Sequence, residues 1–270
     1  MHRSLKALLP MSLLFGTAAA AQSEAPAAPV DHPVIELRQY KIVHGSRDKM
    51  IDLFERHFIE SQETLGMRLF GTFRDMDDPN RFTWVRGFEH ISTRAKSLGD
   101  FYFGPLWKAY AGQANPLLYD NDNVLLLRPA APGSGLQPSD AVRPAPGAPP
   151  RPAGMVVATI FYLWKNPDEG FAKFFADRLA PAYAASGLPV LGSYVSESTP
   201  NDFPRLPVRQ GEKIFVWFTR VANQGAYDKA VQRLASDPQW RSDLQPQLAD
   251  AEERTPQILR LAPTPRSLMR

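Results

Sequence analysis

The chain has 270 residues, is 44% hydrophobic and 22% charged, and carries a formal charge of +3; that length suits one large or two modest domains. Two of the positives, Arg3 and Lys6, lie at the extreme amino terminus. The remainder has no run of basic residues interleaved with aromatics, which excludes the nucleic-acid-binding classes. There is no cysteine, so no disulfide can staple the fold and each unit must be held by its core.

The opening MHRSLKALLPMSLLFGTAAAAQ reads as a signal peptide over residues 1–21. It has a basic start, a short apolar run and a small-residue cleavage site after Ala21. The apolar run is too short to span a bilayer, and no cysteine follows it to carry a lipid. The expectation is a periplasmic or secreted chain with no stable membrane anchor after cleavage. Residues 22–32 are an Ala/Pro-rich leader.

Residues 34–43, VIELRQYKIV, alternate as a strand: Ile35, Leu37 and Gln39 take one face, Glu36, Arg38 and Tyr40 the other. Gly45 and Ser46 end it. Residues 47–65 have helical spacing, with Met50, Ile51, Phe54, Phe58 and Leu65 as the inward stripe and Glu55, Glu60 and Glu63 pointing away. His57 sits at the edge of that stripe. Glu55, His57 and Glu60 do not share a face, so no metal site is expected.

Residues 67–76 form a second strand, and Asp77-Asp78-Pro79-Asn80 is turn chemistry that makes a hairpin with the strand from Arg81. On that strand Phe82, Trp84, Arg86 and Phe88 share one face. A helical stretch follows and ends in an aromatic cluster, Phe101, Tyr102, Phe103 and Trp107. NVLLLRP, residues 123–129, is an apolar strand. The order β-α-β-β-α-β is ferredoxin-like.

Residues 130–154 are dense in Pro, Ala and Gly and read as a linker. Residues 155–262 repeat the order: a strand, a helix over 168–186, a strand, a Pro-broken connection over 199–211, a strand, a helical stretch to about 253 and a closing strand. Residues 263–270 are a tail. Phe82-Thr83-Trp84 aligns with Phe215-Val216-Trp217, and Pro105-Leu106-Trp107 with Pro238-Gln239-Trp240. The alignment sets Ala158, Ile160 and Tyr162 in place of Glu36, Arg38 and Tyr40, and Thr219 in place of Arg86. Polar chemistry therefore belongs to the first unit.

The segments ELRQY (36–40), FRDMDDPNRFTWVRGF (73–88), FYFGPLW (101–107) and DNDNVLLLRP (120–129), with Gly45, resemble the NIPSNAP family within the dimeric α+β barrel group. The resemblance spans residues 33–129 and is looser in the second unit. It implies an α+β fold of two tandem ferredoxin-like units paired as a barrel-type pseudo-dimer, within one chain or as a homodimer. Some relatives in the wider group are cofactor-free monooxygenases or bind haem; other NIPSNAP proteins look like interaction or stress-related proteins.

In such a barrel Glu36, Arg38, Tyr40 and Arg86 share the cavity-facing side and form the candidate catalytic set. His57, Phe73, Trp84, Phe88, Tyr102 and Trp107 are the candidate ligand-pocket residues. Two readings are open. The charges can neutralise one another as an internal ion pair, or one guanidinium can take a carboxylate, phenolate or enolate between aromatic walls. Glu36 would act as a base if burial raised its pKa. Haem would need an axial ligand, and His57 is the one candidate; no cofactor is expected. The expected function is binding of a small aromatic or anionic molecule in a barrel cavity, with a cofactor-independent oxygenase or isomerase as the enzymatic form. The alternative is a non-catalytic binding or protein-interaction module.

Overall fold

The computed structural model describes residues 31–139, 141–150 and 153–270; the signal-peptide reading falls outside the described residues. The first unit runs β1 (Val34–Ile42), α1 (Arg47–His57), α2 (Glu60–Glu63), β2 (Met67–Asp75), β3 (Arg81–Phe88), α3 (Ile91–Tyr102), α4 (Pro105–Ala114), β4 (Leu118–Asp120) and β5 (Val124–Pro129). The second runs β6 (Met155–Leu163), α5 (Phe171–Phe174), α6 (Ala180–Ser186), β7 (Val190–Ser196), β8 (Ile214–Val221), α7 (Gln224–Ser236), α8 (Gln245–Ala251) and β9 (Glu252–Pro263).

Each unit is a four-stranded antiparallel sheet, β2-β3-β1-β5 and β9-β6-β8-β7, with its helices on one face. β2 pairs with β9 and β5 with β7. These two seams close eight strands into one barrel within a single chain, and β4 lies outside against β1. Closure removes the four edges that two separate sheets would present.

Strand alternation then sorts every side chain. Ile35, Leu37, Val85, Leu127, Ile160 and Phe218 fill the barrel interior. Tyr40, Phe82, Trp84 and Phe88 point outward and pack under α1 and α3 with Phe54, Phe58, Leu98 and Phe101. The second unit mirrors this with Phe161, Phe215 and Trp217 under Phe175, Leu179 and Tyr183. Its two long helical segments each contain a π turn, Phe175–Leu179 and Trp240–Leu244, each ending two residues before a proline, Pro181 and Pro246. A proline inside a helix lacks an N–H and crowds the carbonyl four residues back, and the wider turn absorbs both.

Two expectations change here, and the linker proves to make contacts. Glu55 does not point away: it is buried, and its Oε1 accepts hydrogen bonds from the Thr264 hydroxyl at 2.6 Å and the Arg266 amide at 2.9 Å. Described residues of the linker pack on the fold. Leu136 is buried in the barrel core, and Arg143 bonds Glu63 at 2.8 Å and the Leu69 carbonyl at 2.9 Å. The opening strands also align differently. Arg38 stands opposite Trp84 and Thr159 opposite Trp217, so Val157, Thr159 and Phe161 replace Glu36, Arg38 and Tyr40. Ala158, Ile160 and Tyr162 face the barrel interior. A slip of one residue exchanges the two faces of a strand.

Candidate functional site

Register brings the candidate set together. Glu36 stands directly opposite Arg86, and Arg38 opposite Trp84. All share one sheet face, but that face looks at the helices and not into the barrel. The expectation of a site inside the barrel is corrected: Ile35, Leu37 and Val85 turn inward, and the charged positions lie between sheet and helices among the outward aromatic rings.

Glu36 is the centre of the arrangement. Its Oε2 accepts from Arg38 Nη1 at 2.7 Å and from Arg86 Nε and Nη2 at 2.9 and 2.6 Å. Its Oε1 accepts from Arg94 Nε and Nη2 at 2.8 and 2.6 Å. All four side chains are fully buried. Burial by itself would raise the pKa of Glu36. The guanidiniums of Arg86, Arg38 and Arg94 outweigh that and hold the carboxyl far below its ordinary range. Glu36 is thus a fixed counter-ion with both oxygens occupied, and the base role expected of it has no geometric support.

The cluster is not neutral. Arg94 also pairs with Asp202 and bonds Asn201 Oδ1 at 3.0 Å, and Arg86 Nη1 bonds Gln62 Oε1 at 2.7 Å. Three guanidiniums face two carboxylates, leaving one positive charge uncompensated. Among the described residues, Arg38 Nη2 and Trp84 Nε1 are buried without a hydrogen-bond partner. Stacking offsets part of the excess, since the Arg38 guanidinium lies 5.2 Å from the Tyr40 ring centre and 5.4 Å from that of Trp84.

Tyr40 links this cluster to open space. Its hydroxyl accepts from Arg38 Nε at 2.9 Å, which leaves its own proton to donate elsewhere. Burial raises the Tyr40 pKa, and the Arg38 charge offsets only part of the rise, so the phenol stays protonated. Tyr40, Trp84, Tyr102 and Trp107 then wall a cavity of about 160 Å³, with Phe54 from α1 and Phe58 just beyond its end. Gln62, Asn115, Asn121 and Arg205 are its polar lining.

Of the expected pocket residues, Trp84, Tyr102 and Trp107 line this cavity. Phe88 lies behind it, with its ring 5.4 Å from the Arg86 guanidinium. His57 stacks on Tyr110 with ring centres 3.8 Å apart and does not reach the cavity. Phe73 is in the barrel interior. A bulge between Leu69 and Gly71 shifts strand parity, and a Cβ at position 71 would meet the Phe73 ring at 2.3 Å. Haem does not fit: the cavity is far smaller than a porphyrin, and the one candidate ligand is engaged with Tyr110. Among the described residues there is no cluster of potential metal ligands, and no helix is long and apolar enough to cross a membrane.

Two parts of the site were missed in the sequence. Arg94 was one, although Arg94, Leu98 and Phe101 recur at i, i+4 and i+7 and mark a buried stripe. The other is the connection between β7 and β8, which crosses from the second unit to roof the first unit's cavity. Phe203 packs on Tyr102 with ring centres 6.1 Å apart, and Arg205 and Leu206 line the cavity. Arg209 ties the far end of this segment to Asn123 Oδ1 at 3.0 Å.

Fold and site together describe a single-chain α+β barrel of the dimeric type, with a ring-sized cavity outside one sheet. Residues 35–132 match the NIPSNAP family, and the chain carries a NIPSNAP domain there. Among solved structures, a candidate monooxygenase from Lactobacillus acidophilus NCFM shares the fold at a TM-score of 0.53 and 14% identity. The match covers 86% of this chain and 94% of that one. A candidate monooxygenase from Fusobacterium nucleatum matches at 0.53 and 11%, covering 86% and 92%. An anthrone oxidase-like protein matches at 0.51 and 12%, covering 87% and 92%. No curated protein matches the chain.

Proposed function

We propose that this protein binds a single-ring phenol, or a small enol of similar size, in the cavity walled by Tyr40, Trp84, Tyr102 and Trp107, and favours its anion. The observation that carries this reading is a buried positive charge in excess, with an unpartnered Arg38 N–H, one hydrogen bond behind the Tyr40 hydroxyl. A ligand oxygen accepting from Tyr40 would complete the chain ligand–Tyr40–Arg38, and its negative charge would balance the cluster. Size sets the substrate class. An apolar cavity of about 150 Å³ takes up benzene, and this one is about 160 Å³.

Among the described residues no carboxylate or histidine lines the cavity. The site is therefore suited to stabilising an anion and offers no side chain of ordinary basicity to generate one. Binding is the primary reading. Cofactor-independent oxygenation of the bound anion is the second. It is favoured by the names of the fold neighbours, two candidate monooxygenases and an anthrone oxidase-like protein, and oxygen uptake in the presence of ligand tests it. We further propose that residues 1–21 direct export. Amino-terminal sequencing of protein purified from its native host should begin at Gln22; a mature chain beginning at or near Met1 would refute export by cleavage.

Thermal denaturation with a graded set of phenols tests the cavity. Single-ring phenols should raise the melting temperature, because a ligand that binds only the folded state stabilises it. Two-ring naphthols should not, and Leu206→Trp, which fills the space, should remove the response. Equal stabilisation by naphthols, or an unchanged response in Leu206→Trp, would place the ligand elsewhere.

A further inference from the structure

Arg205 is the one cation among the described residues that line the cavity, and it comes from the second unit. Among the described residues no carboxylate lies within ion-pair distance of it; its guanidinium carbon lies 5.3 Å from the ring centre of Phe103. The segment that carries it is pinned on both sides. Asp202 accepts from Arg94 and from the Ala95 amide at 3.1 Å, and Phe203 and Leu206 are buried. Arg209 binds Glu212 and Asn123 beyond it. Arg205 is thus an exposed cation on a segment held in place, and it lines the same cavity as the buried Tyr40.

We infer that Arg205 is a specificity residue that selects ligands bearing a carboxylate across the ring from the phenolic oxygen, so that the preferred class is hydroxybenzoate-like. This rests on the cavity reading above and adds the second anionic end. A ring held with its phenol at the buried Tyr40 turns a para substituent away from that residue, and the exposed polar groups of the lining that could receive it are Arg205 and Asn115. Guanidinium and carboxylate match in geometry. The second unit would then have lost its own charged site, with Val157, Thr159 and Thr219 at the matching positions. It would supply instead the discriminating wall of its neighbour's.

The test compares 4-hydroxybenzoate with 4-hydroxybenzamide, whose amide group has the shape of a carboxylate without the charge. Calorimetric titration of the full chain gives the selectivity for one over the other. Arg205→Ala should lower that ratio about fivefold, the scale of a single partly exposed ion pair. Arg205→Lys should restore most of it, and added salt should narrow the gap between wild type and Arg205→Ala. If both probes bind and the ratio is the same in wild type and Arg205→Ala, the specificity role is overturned while the cavity reading stands. If neither probe binds the wild-type chain, the cavity reading fails and this inference with it.

Discussion

Glu36 holds three guanidiniums on two oxygens in a place that water does not reach. Removing its charge leaves Arg38, Arg86 and Arg94 facing one another, and breaking a buried pair costs about 3–5 kcal/mol. Glu36→Gln is therefore expected to lower unfolding stability at neutral pH by at least about 3 kcal/mol, read from chemical denaturation. The pH dependence has a definite sign. The folded pKa is depressed from an ordinary 4.5, so the carboxylate's contribution is complete above that value and is lost as pH falls towards the folded pKa. The stability gap between wild type and Glu36→Gln should be flat above about pH 5.5 and shrink below about 4.5. A gap that widened on acidification would show that Glu36 is not the counter-ion described. Tyr40→Phe keeps the ring and deletes the donor. It should weaken phenol binding by about tenfold, the scale of one hydrogen bond to a charged partner, with little loss of solubility or helix content.

At the level of elements, the β7–β8 connection decides whether the cavity is a closed site or an open groove. Asp202 anchors it to a buried arginine, and Asp202→Asn should raise hydrogen exchange of the amides of residues 201–206 several-fold while leaving those of β1 unchanged. An unaltered pattern would mean that Phe203 and Leu206 hold the segment by themselves. These elements also show what the sequence could reveal. Alternation in β1 and β3 correctly put Glu36, Arg38, Tyr40, Trp84 and Arg86 on one face, because that pattern is local. Which side of the sheet that face meets is set by where both layers bury apolar area, and the more completely apolar side, Ile35, Leu37 and Val85, went into the barrel. Phe73 escaped because a bulge changes parity without changing composition. The roof escaped because Arg94 and Asp202 are 108 residues apart and nothing in either segment names the other. Arg94 itself was legible from its stripe.

Taken as a whole, the molecule joins two repeats that have diverged in role. Neither sheet can stand alone: each has an apolar inner face and two edges that the other repeat covers. At about 25 cal/mol per Å² of apolar surface, re-exposing such a face forfeits much of a domain's net stability. The first repeat expressed as residues 31–129 is expected to be a dimer or an aggregate in sedimentation experiments. A stable monomer with native helix content would contradict the closed barrel. The family match and the Glu36 cluster with its three arginines lie in the first repeat, and Asp202 and the roof over the cavity in the second. Only the joined chain has the complete cavity.

The most direct measurement is the ionisation of 4-nitrophenol on the protein, followed by the visible absorbance of its phenolate across pH. A positive charge in excess behind Tyr40 should make the bound phenol roughly tenfold more acidic than the free one, equivalent to about 1.4 kcal/mol. Arg38→Met should abolish most of that gain. A phenol that binds yet ionises as it does in water, or one that becomes less acidic as it would in a merely oily pocket, would contradict the anion-stabilising site.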